Sequence, residues 1–230
     1  MQCVILAAGR GVRMGKLTEN TPKPMLSLSG KPLLEWKLEM LPKAIDEIIL
    51  VVGYLEHRIQ EHFGNEWQGR PIHYVYQETL NGTGGALTLT KNVVRDRFLV
   101  IMGDDLYHQK DLEDLLSDEL ALLAYKTDEA ERFGIIETTK EGRLLSVAER
   151  PHGKKEGLVS TNGFMLHRKF FDYPLVPITE TEYGLPQTLA LMGKDVPVCV
   201  RKARAWQPVG RPEDIEKGEA FLKKYWIKNA

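Results

Sequence analysis

The segment that most constrains this chain is residues 3–15, CVILAAGRGVRMG. Its apolar run, Val4 to Leu6, changes abruptly to small residues and glycines that carry two arginines. This pattern is typical of a buried strand that enters a loop at the carboxyl edge of a parallel sheet. Small side chains leave backbone N–H groups accessible there, and a row of such donors binds phosphate. We therefore expect a polyphosphate site, to which Arg13 and the following Lys23 add positive charge.

The spacing of the glycines excludes the two commonest phosphate-binding loops. A Walker loop needs four residues between its glycines and then Lys followed by Ser or Thr. Here three residues separate Gly11 from Gly15, and Lys16 is followed by Leu17. A dinucleotide fingerprint needs a third glycine, where this chain has Met14.

Composition limits the class of partner. The chain has 230 residues, 43% hydrophobic, so it can bury a sizeable core, and its net charge of −1 gives no global attraction to nucleic acid or anionic membrane. Its two cysteines, Cys3 and Cys199, fall in predicted strands and favour a reducing cytoplasm over a disulfide scaffold. We expect neither a signal peptide nor a membrane span.

Strand-like and helix-like segments alternate through the first half, which predicts an α/β fold with a doubly wound, mostly parallel sheet. Strands are predicted at residues 2–6, 47–53, 72–77, 98–102 and 120–125, and helices at 32–41, 55–63 and 83–92. Residues 133–177 predict a small antiparallel β insertion that covers a cleft, and residues 195–201 a further strand. A final helix is predicted from Pro212, with Lys223, Lys224 and Lys228 near its end. No linker is evident, so residues 1–230 are interpreted as a single domain.

Three sequence elements, the first of which is the loop described above, together form a family pattern. The first loop has the form Leu-x-x-Gly-x-Gly-x-Arg-Met, followed by Pro-Lys-Pro-Met-Leu at 22–26 and Gly-Lys-Pro at 30–32. With these elements the chain resembles the sugar-1-phosphate nucleotidyltransferases, or nucleotide-sugar pyrophosphorylases, nearly end to end. The resemblance implies a Rossmann-like fold and an enzyme that joins a nucleoside triphosphate to a sugar 1-phosphate with release of pyrophosphate. The acceptor's phosphate oxygen is already a nucleophile, so the reaction needs positioning and charge neutralisation rather than a Ser–His couple.

The same resemblance assigns the nucleotide side of the site. Arg13 and Lys23 are implied as the catalytic, phosphate-neutralising cations. In a later turn Gln77 offers a donor and an acceptor side by side for a base edge, and Gly82 lets the backbone approach the base. The implied nucleotide-binding residues are Leu6, Ala7, Ala8, Gly9, Gly11, Val12, Gln77, Gly82 and Thr83.

An acid pair, Asp104 and Asp105, follows an apolar strand and Gly103. Adjacent side chains point to different sides, so we expect one carboxylate to face the site. The resemblance implies Asp104 as the metal ligand, and we interpret Asp105 as a loop cap. Mg²⁺ suits this position because it takes few protein oxygens and several from phosphates and water.

The acceptor side is implied by short motifs in the family's order. They assign Gly134, Glu149, Arg150 and Asn162 to the sugar phosphate. Arg150 stands where the family usually has Lys, and a guanidinium can still clamp phosphate, with two parallel bonds.

Two departures from the family pattern leave alternatives open. Pro208 occupies the position of a second metal carboxylate, and the family's Glu-Tyr-x-Leu-Thr-Asp element ends here in Gln187. A non-catalytic nucleotide- or sugar-sensing protein is therefore one alternative. A cytidylyltransferase for a phospho-alcohol is another, which aromatic residues in the acceptor pocket, such as Phe133 or Tyr183, would favour. The nucleobase, the sugar and the formation of a homo-oligomer are left open.

Overall fold

A computed structural model describes residues 1–227 of the chain. The strands are β1 (Gln2–Leu6), β2 (Ser27–Leu28), β3 (Lys31–Pro32), β4 (Glu47–Val52), β5 (Glu66–Trp67), β6 (Arg70–Tyr76), β7 (Arg97–Met102), β8 (Asp105–Tyr107), β9 (Ala121–Thr127), β10 (Ile135–Thr138), β11 (Leu144–Ala148), β12 (Gly157–His167), β13 (Val176–Pro177), β14 (Tyr183–Gly184), β15 (Cys199–Lys202) and β16 (Trp206–Pro208). The α-helices are α1 (Leu33–Met40), α2 (Glu56–Phe63), α3 (Gly82–Thr88), α4 (Gln109–Leu115), α5 (Leu185–Met192) and α6 (Asp214–Tyr225).

The centre of the molecule is a parallel sheet in the order β7-β1-β4-β6. Leu6, the last residue of β1, pairs with Val51 on one side and Met102 on the other. The carboxyl ends of these strands therefore lie at one edge, where loops from several strands meet. The predicted α/β, mostly parallel fold is confirmed.

Alternate residues of each central strand face opposite layers of helices. In β1, Cys3 and Ile5 pack in one core with Leu38 of α1, whereas Val4 and Leu6 pack in the other with Leu189 of α5. Side chains along a strand alternate between the two faces, so a strand buried on both faces is apolar throughout. This is the physical basis of the apolar run that opens the sequence.

The antiparallel strands predicted within residues 133–177 extend this central sheet. The end of β12 pairs antiparallel with β7, β9 runs antiparallel along β12, and β10 and β11 follow at the edge. The antiparallel strands are thus hydrogen-bonded to the central parallel strands through the pairing of β12 with β7.

Several element boundaries differ from the predictions. The last helix begins at Asp214 rather than Pro212, and the strand predicted at 195–201 is Cys199–Lys202. The helices α4 and α5 were not predicted. Lys228 lies outside the described residues. None of the helices in residues 1–227 has the length and apolarity that a membrane span requires.

Candidate functional site

A cleft of about 570 Å³ opens at the carboxyl edge of the central strands. This volume is in the range of small-molecule sites. Arg13, Lys23 and Asp104, predicted from three separate segments, line the cleft together. It is also lined by the predicted residues Leu6, Ala7, Ala8, Gly9, Gly11, Val12, Gln77, Gly82, Thr83, Glu149, Arg150 and Asn162.

A second cavity of about 250 Å³ adjoins the first. Gly134, the predicted site residue that does not line the larger cleft, lines this one. The structure therefore brings every predicted site residue into one continuous depression. Both cavities are lined by Arg13, Thr83, Met102, Asp104, Glu149, Arg150, Asn162, Pro186 and Gly210.

The loop after β1 is shaped to present its backbone. Gly11 has a left-handed φ of 65°, and a Cβ there would lie 3.0 Å from the Cβ of Lys23. Glycine is required for both reasons, because a side chain would strain the backbone and displace the lysine. Within residues 1–227, the N–H groups of Gly11, Val12 and Arg13 donate no hydrogen bond to the protein. Such a run of free donors is suited to an anion.

Lys23 and Asp104 form an ion pair at the base of the cleft. The lysine is buried, whereas the Asp104 side chain is 36% exposed to the cleft. Burial alone would raise the pKa of Asp104, but the adjacent Lys23 ammonium, helped by Lys37, holds it below its usual value. Asp104 is therefore a carboxylate whose oxygens can meet a cation in the cleft.

Asp105 is not the loop cap that we expected. It begins β8, is almost fully buried, and pairs in register with Pro208 of β16. Burial and then the negative charge of Asp104 raise its pKa to about 7. The local sequence could not show this, because β16 lies about a hundred residues further along the chain.

Lys37 is a buried cation behind the acid pair. Its Nζ has no hydrogen-bond partner within residues 1–227 and lies 4.5 Å from the centre of the Tyr107 ring. Burial lowers the pKa of Lys37 to about 8, against the opposing effects of Asp105 and then Asp104. Two cations, Lys23 and Lys37, thus balance two acids beneath the cleft.

The side chains at the cleft fit a magnesium ion held by a single protein carboxylate. Within residues 1–227 no three His, Cys, Asp or Glu side chains form a metal-binding cluster. Asp104 is open to the cleft, whereas Asp105 borders the second cavity but is only 6% exposed, and Pro208 has no ligating side chain. Mg²⁺ is commonly bound through one or two carboxylates, with phosphate and water oxygens completing its shell.

The Gln77 turn is joined to the segment that follows β13. Gln77 is buried, and its Nε2 donates to Asn81 Oδ1 at 3.1 Å. A Cβ at Gly82 would lie 2.5 Å from the carbonyl oxygen of Tyr183, and Thr83 Oγ1 accepts a hydrogen bond from the N–H of Leu185 at 3.1 Å. Gly82 lines the cleft, where we expected a base to approach its backbone. In the structure the close neighbour of Gly82 is the backbone of Tyr183.

The acceptor side depends on a distortion of β12. Its register with β9 shifts between Ser160 and Gly163, and Asn162 adopts a left-handed φ of 54°. Its N–H donates to the hydroxyl of Ser160 at 3.1 Å. Bulges of this kind often redirect a side chain next to a functional site. Here the bulge places Asn162 in both cavities.

Glu149 is held by two neighbours. Gln187 Nε2 donates to its Oε2 at 3.2 Å, and Arg150 Nε lies 3.4 Å from its Oε1. The Gln187 side chain, which the sequence marked as a departure, thus acts on an acceptor-side carboxylate. No local pattern could indicate this contact, because Glu149 and Gln187 lie 38 residues apart in the chain.

We call the smaller cavity the acceptor cavity, because the residues predicted to bind the sugar phosphate line it. Its aromatic residues are Phe133 and Trp206, whose rings meet edge to face at 4.9 Å. Tyr183 is absent from the lining of both cavities. The Arg132 guanidinium lies 5.5 Å from the centre of the Phe133 ring. Arg132 and Arg211 also line this cavity, and neither was assigned from the sequence.

Comparison with known proteins gives consistent results. The model of a family described as "Nucleotidyl transferase" matches residues 2–225. The chain is 38% identical over 234 residues to the bifunctional protein GlmU of Methanococcus maripaludis strain C5, which covers 97% of this chain and 55% of that protein. It is 28% identical to the UTP–glucose-1-phosphate uridylyltransferase AglF of Haloferax volcanii, with 97% of each chain covered.

A solved structure shares the fold. The crystal structure of a UDP-glucose pyrophosphorylase complexed with UDP-glucose superposes with a TM-score of 0.82 at 21% identity, covering 97% of this chain and 98% of that one. The chain spans about half the length of the GlmU relatives, 54–56% of each.

Proposed function

The chain belongs to the nucleotidyl transferase family, and on that premise we propose that it transfers a nucleotidyl group from a nucleoside triphosphate to a sugar 1-phosphate. The products are a nucleoside diphosphate sugar and pyrophosphate. One observation carries the proposal: Arg13, Lys23 and Asp104 share a cleft with a loop of free N–H groups. The AglF relative, which matches this chain over 97% of both, supports the same reaction class.

The reaction forms one bond and breaks one. An oxygen of the acceptor phosphate attacks the α-phosphorus of the triphosphate, and the bond from that phosphorus to the oxygen that bridges to the β-phosphate breaks. The acceptor oxygen is already deprotonated at neutral pH, so no general base is required. Catalysis then rests on alignment of the two substrates and on cations placed where negative charge develops.

Different residues of the cleft bind the triphosphate, the base and the acceptor. The free N–H groups of Gly11 to Arg13 bind the triphosphate, and Arg13 and Lys23 neutralise the charge of the departing pyrophosphate. Gln77 uses one amide hydrogen on Asn81, which leaves its carbonyl oxygen available to a base edge. Glu149 and Asn162 accept hydrogen bonds from acceptor hydroxyls, and Gly134 offers its backbone.

Asp104 is the residue that would hold magnesium. Bound magnesium would neutralise phosphate charge and act as a Lewis acid toward phosphoryl oxygens. Lys23 contacts the same carboxylate, so it would orient Asp104 and remain beside the triphosphate.

The charge of the acceptor cavity favours a sugar phosphate over a phospho-alcohol with a quaternary ammonium. Phe133 and Trp206 supply aromatic faces, which a quaternary ammonium requires. However, Arg132 lies against the Phe133 ring, and Arg13, Arg150 and Arg211 line the same cavity. The carboxyl groups of Asp104, Asp105 and Glu149 line the cavity too, so guanidinium groups outnumber acids there by four to three. In addition, Arg132 already occupies the Phe133 ring that a quaternary ammonium would need.

We also place the reaction in a reducing compartment, the cytoplasm. Cys3 and Cys199 are both unpaired, which supports this location.

Pyrophosphate release measured across four nucleoside triphosphates and a panel of sugar 1-phosphates tests the proposal. We expect magnesium-dependent release only when both substrates are present. Phosphocholine serves as the contrasting acceptor. Tight nucleotide binding without turnover on any acceptor would instead support a sensing protein.

A further inference from the structure

Three arginines from separate loops meet in the acceptor cavity: Arg13, Arg150 and Arg211. Their partners within residues 1–227 are few. Arg13 forms no ion pair there. Arg150 Nε lies 3.4 Å from Glu149 Oε1, and its Nη1 donates to the carbonyl oxygen of Arg132 at 3.1 Å. Arg211 has a single long ion pair, 3.8 Å, to Glu213, whose side chain is 60% exposed. An exposed pair at that distance contributes little, so the guanidinium remains available to a stronger anion.

The loop that carries Arg211 is held in place by a buried carboxylate. Asp214 is fully buried and accepts hydrogen bonds from the N–H groups of Gly210 and Arg211, each at 3.0 Å. Arg132 Nη2 donates to the same carboxylate at 2.8 and 3.0 Å. Hydrogen bonds to a charged acceptor are the stronger kind, so these four fix the backbone from which Arg211 projects.

The same loop is attached to the acid turn. The N–H of Val209 donates to the carbonyl oxygen of Asp104 at 3.0 Å, and Pro208 pairs in register with Asp105. Arg211 therefore lies on a loop whose distance from the reacting phosphates is set by hydrogen bonds. Because the backbone is already fixed, only the Arg211 side chain loses freedom when it binds.

We propose that Arg211 binds the phosphate of the acceptor, opposite Arg13 and together with Arg150. This inference rests on the proposed function and adds to it a residue that the family pattern does not assign. Attack requires two phosphates to approach each other against their mutual repulsion, and cations on both sides reduce that repulsion. Lys23 lines only the larger cleft and Arg211 only the smaller cavity, whereas Arg13 and Arg150 line both and lie between them.

The test compares Arg211→Gln with Arg58→Gln, which removes the same charge from the exposed face of α2. Arg211 is 46% exposed, so its replacement should leave the fold intact, as circular dichroism can verify. We expect KM for the sugar 1-phosphate to rise about 10- to 100-fold. KM for the triphosphate should stay within about twofold, because that contact is made by other groups. Arg211→Lys should lose less affinity than Arg211→Gln, since lysine keeps the positive charge but cannot form the two parallel hydrogen bonds of a guanidinium.

A binding experiment separates this inference from the proposed function. Calorimetric titration with glucose 1-phosphate, and separately with inorganic phosphate, needs no turnover. We expect the wild-type protein and Arg58→Gln to bind at least one of these probes and Arg211→Gln to bind it more weakly. If no substrate pair gives pyrophosphate yet this difference persists, the proposed reaction fails and the phosphate site stands. Equal binding by all three proteins, absence of binding to wild type, or a loss confined to the triphosphate would overturn the assignment.

Discussion

The residues of the nucleotide side and those of the acceptor side are held in place by different kinds of contact. On the nucleotide side, the loop after β1 is anchored by backbone hydrogen bonds of the parallel sheet, such as Ala7 N–H to Val51 and Gly103 N–H to Leu6. On the acceptor side, Glu149 is held by Gln187, and the Arg211 loop is held by Asp214. Main-chain support survives replacement of a side chain, whereas side-chain support does not.

This difference determines what a substitution measures. A change of Arg13 in the loop after β1 removes a functional group and leaves its main-chain support in place, so it reports on binding or chemistry. A change of Gln187 also shifts its neighbour Glu149, so it reports on positioning. Five predictions, from the largest expected effect to the smallest, test that division.

Arg13→Ala should lower kcat most, by about 100- to 1,000-fold, because it removes a cation needed as pyrophosphate departs. The side chain is exposed, so Tm should not change. Steady-state kinetics and thermal denaturation of the same preparation measure both. Lys16→Ala, an exposed lysine in the same loop, is the control. A large fall in Tm would contradict main-chain support of this loop.

Asp104→Asn should reduce magnesium-dependent turnover by about 100-fold, because an amide binds Mg²⁺ much less well than a carboxylate. Calorimetric titration of Mg²⁺ into the protein with bound triphosphate should show weaker binding of the ion. Full activity with an unchanged magnesium requirement would refute the metal assignment.

Gln77→Ala should alter the choice of base rather than the rate. We expect the ratio of kcat/KM between preferred and disfavoured triphosphates to fall about 10-fold, because one hydrogen-bonding side chain is lost. The effect on kcat should be much smaller than that of Arg13→Ala. Comparable losses in kcat with unchanged base choice would argue against this role.

Gln187→Leu should raise KM for the sugar 1-phosphate about 5- to 10-fold, because Glu149 loses the donor that orients it. Leucine is close to glutamine in size, so the packing of α5 should persist. KM for the triphosphate, measured in parallel, should not move. Equal changes in both KM values would contradict a role for Gln187 that is confined to the acceptor side.

The acid pair predicts how stability depends on pH in metal-free protein. The pKa of Asp105 is raised from 3.8 to about 7 by burial and by Asp104, so the folded state holds its proton more tightly. Its stabilising contribution is complete below about pH 3.8 and is lost as pH rises through 7. Between pH 4 and 7 this group should lower Tm by roughly 7–14 °C. Asp105→Asn should remove that slope; an unchanged slope would contradict the assignment.

The loop after β1 could be predicted because its residues follow one another in the chain. Arg13 lies seven positions after the end of β1, and the glycines that free the backbone lie between. Local steric rules therefore fix most of that geometry. The acceptor residues could be ordered only by resemblance, since they meet through strand pairings that no local pattern specifies.

Asp105 and Arg211 show the limit most clearly. A carboxylate after a glycine at the end of a strand suggests a turn, yet pairing with Pro208 buries Asp105. Arg211 in a Gly-Arg-Pro run suggests a solvated loop, yet the buried Asp214 holds that loop against the cavity. In both cases the deciding contact comes from a distant or buried partner.

The contact between Gly82 and Tyr183 couples selection of the two substrates. The turn that carries Gln77 cannot move without displacing the backbone that leads into Leu185 and Gln187. Substitutions that move this turn to admit a new nucleobase should therefore change the preferred sugar as well, through the contact of Gly82 with Tyr183. The preference for a nucleobase and the preference for a sugar should therefore change together.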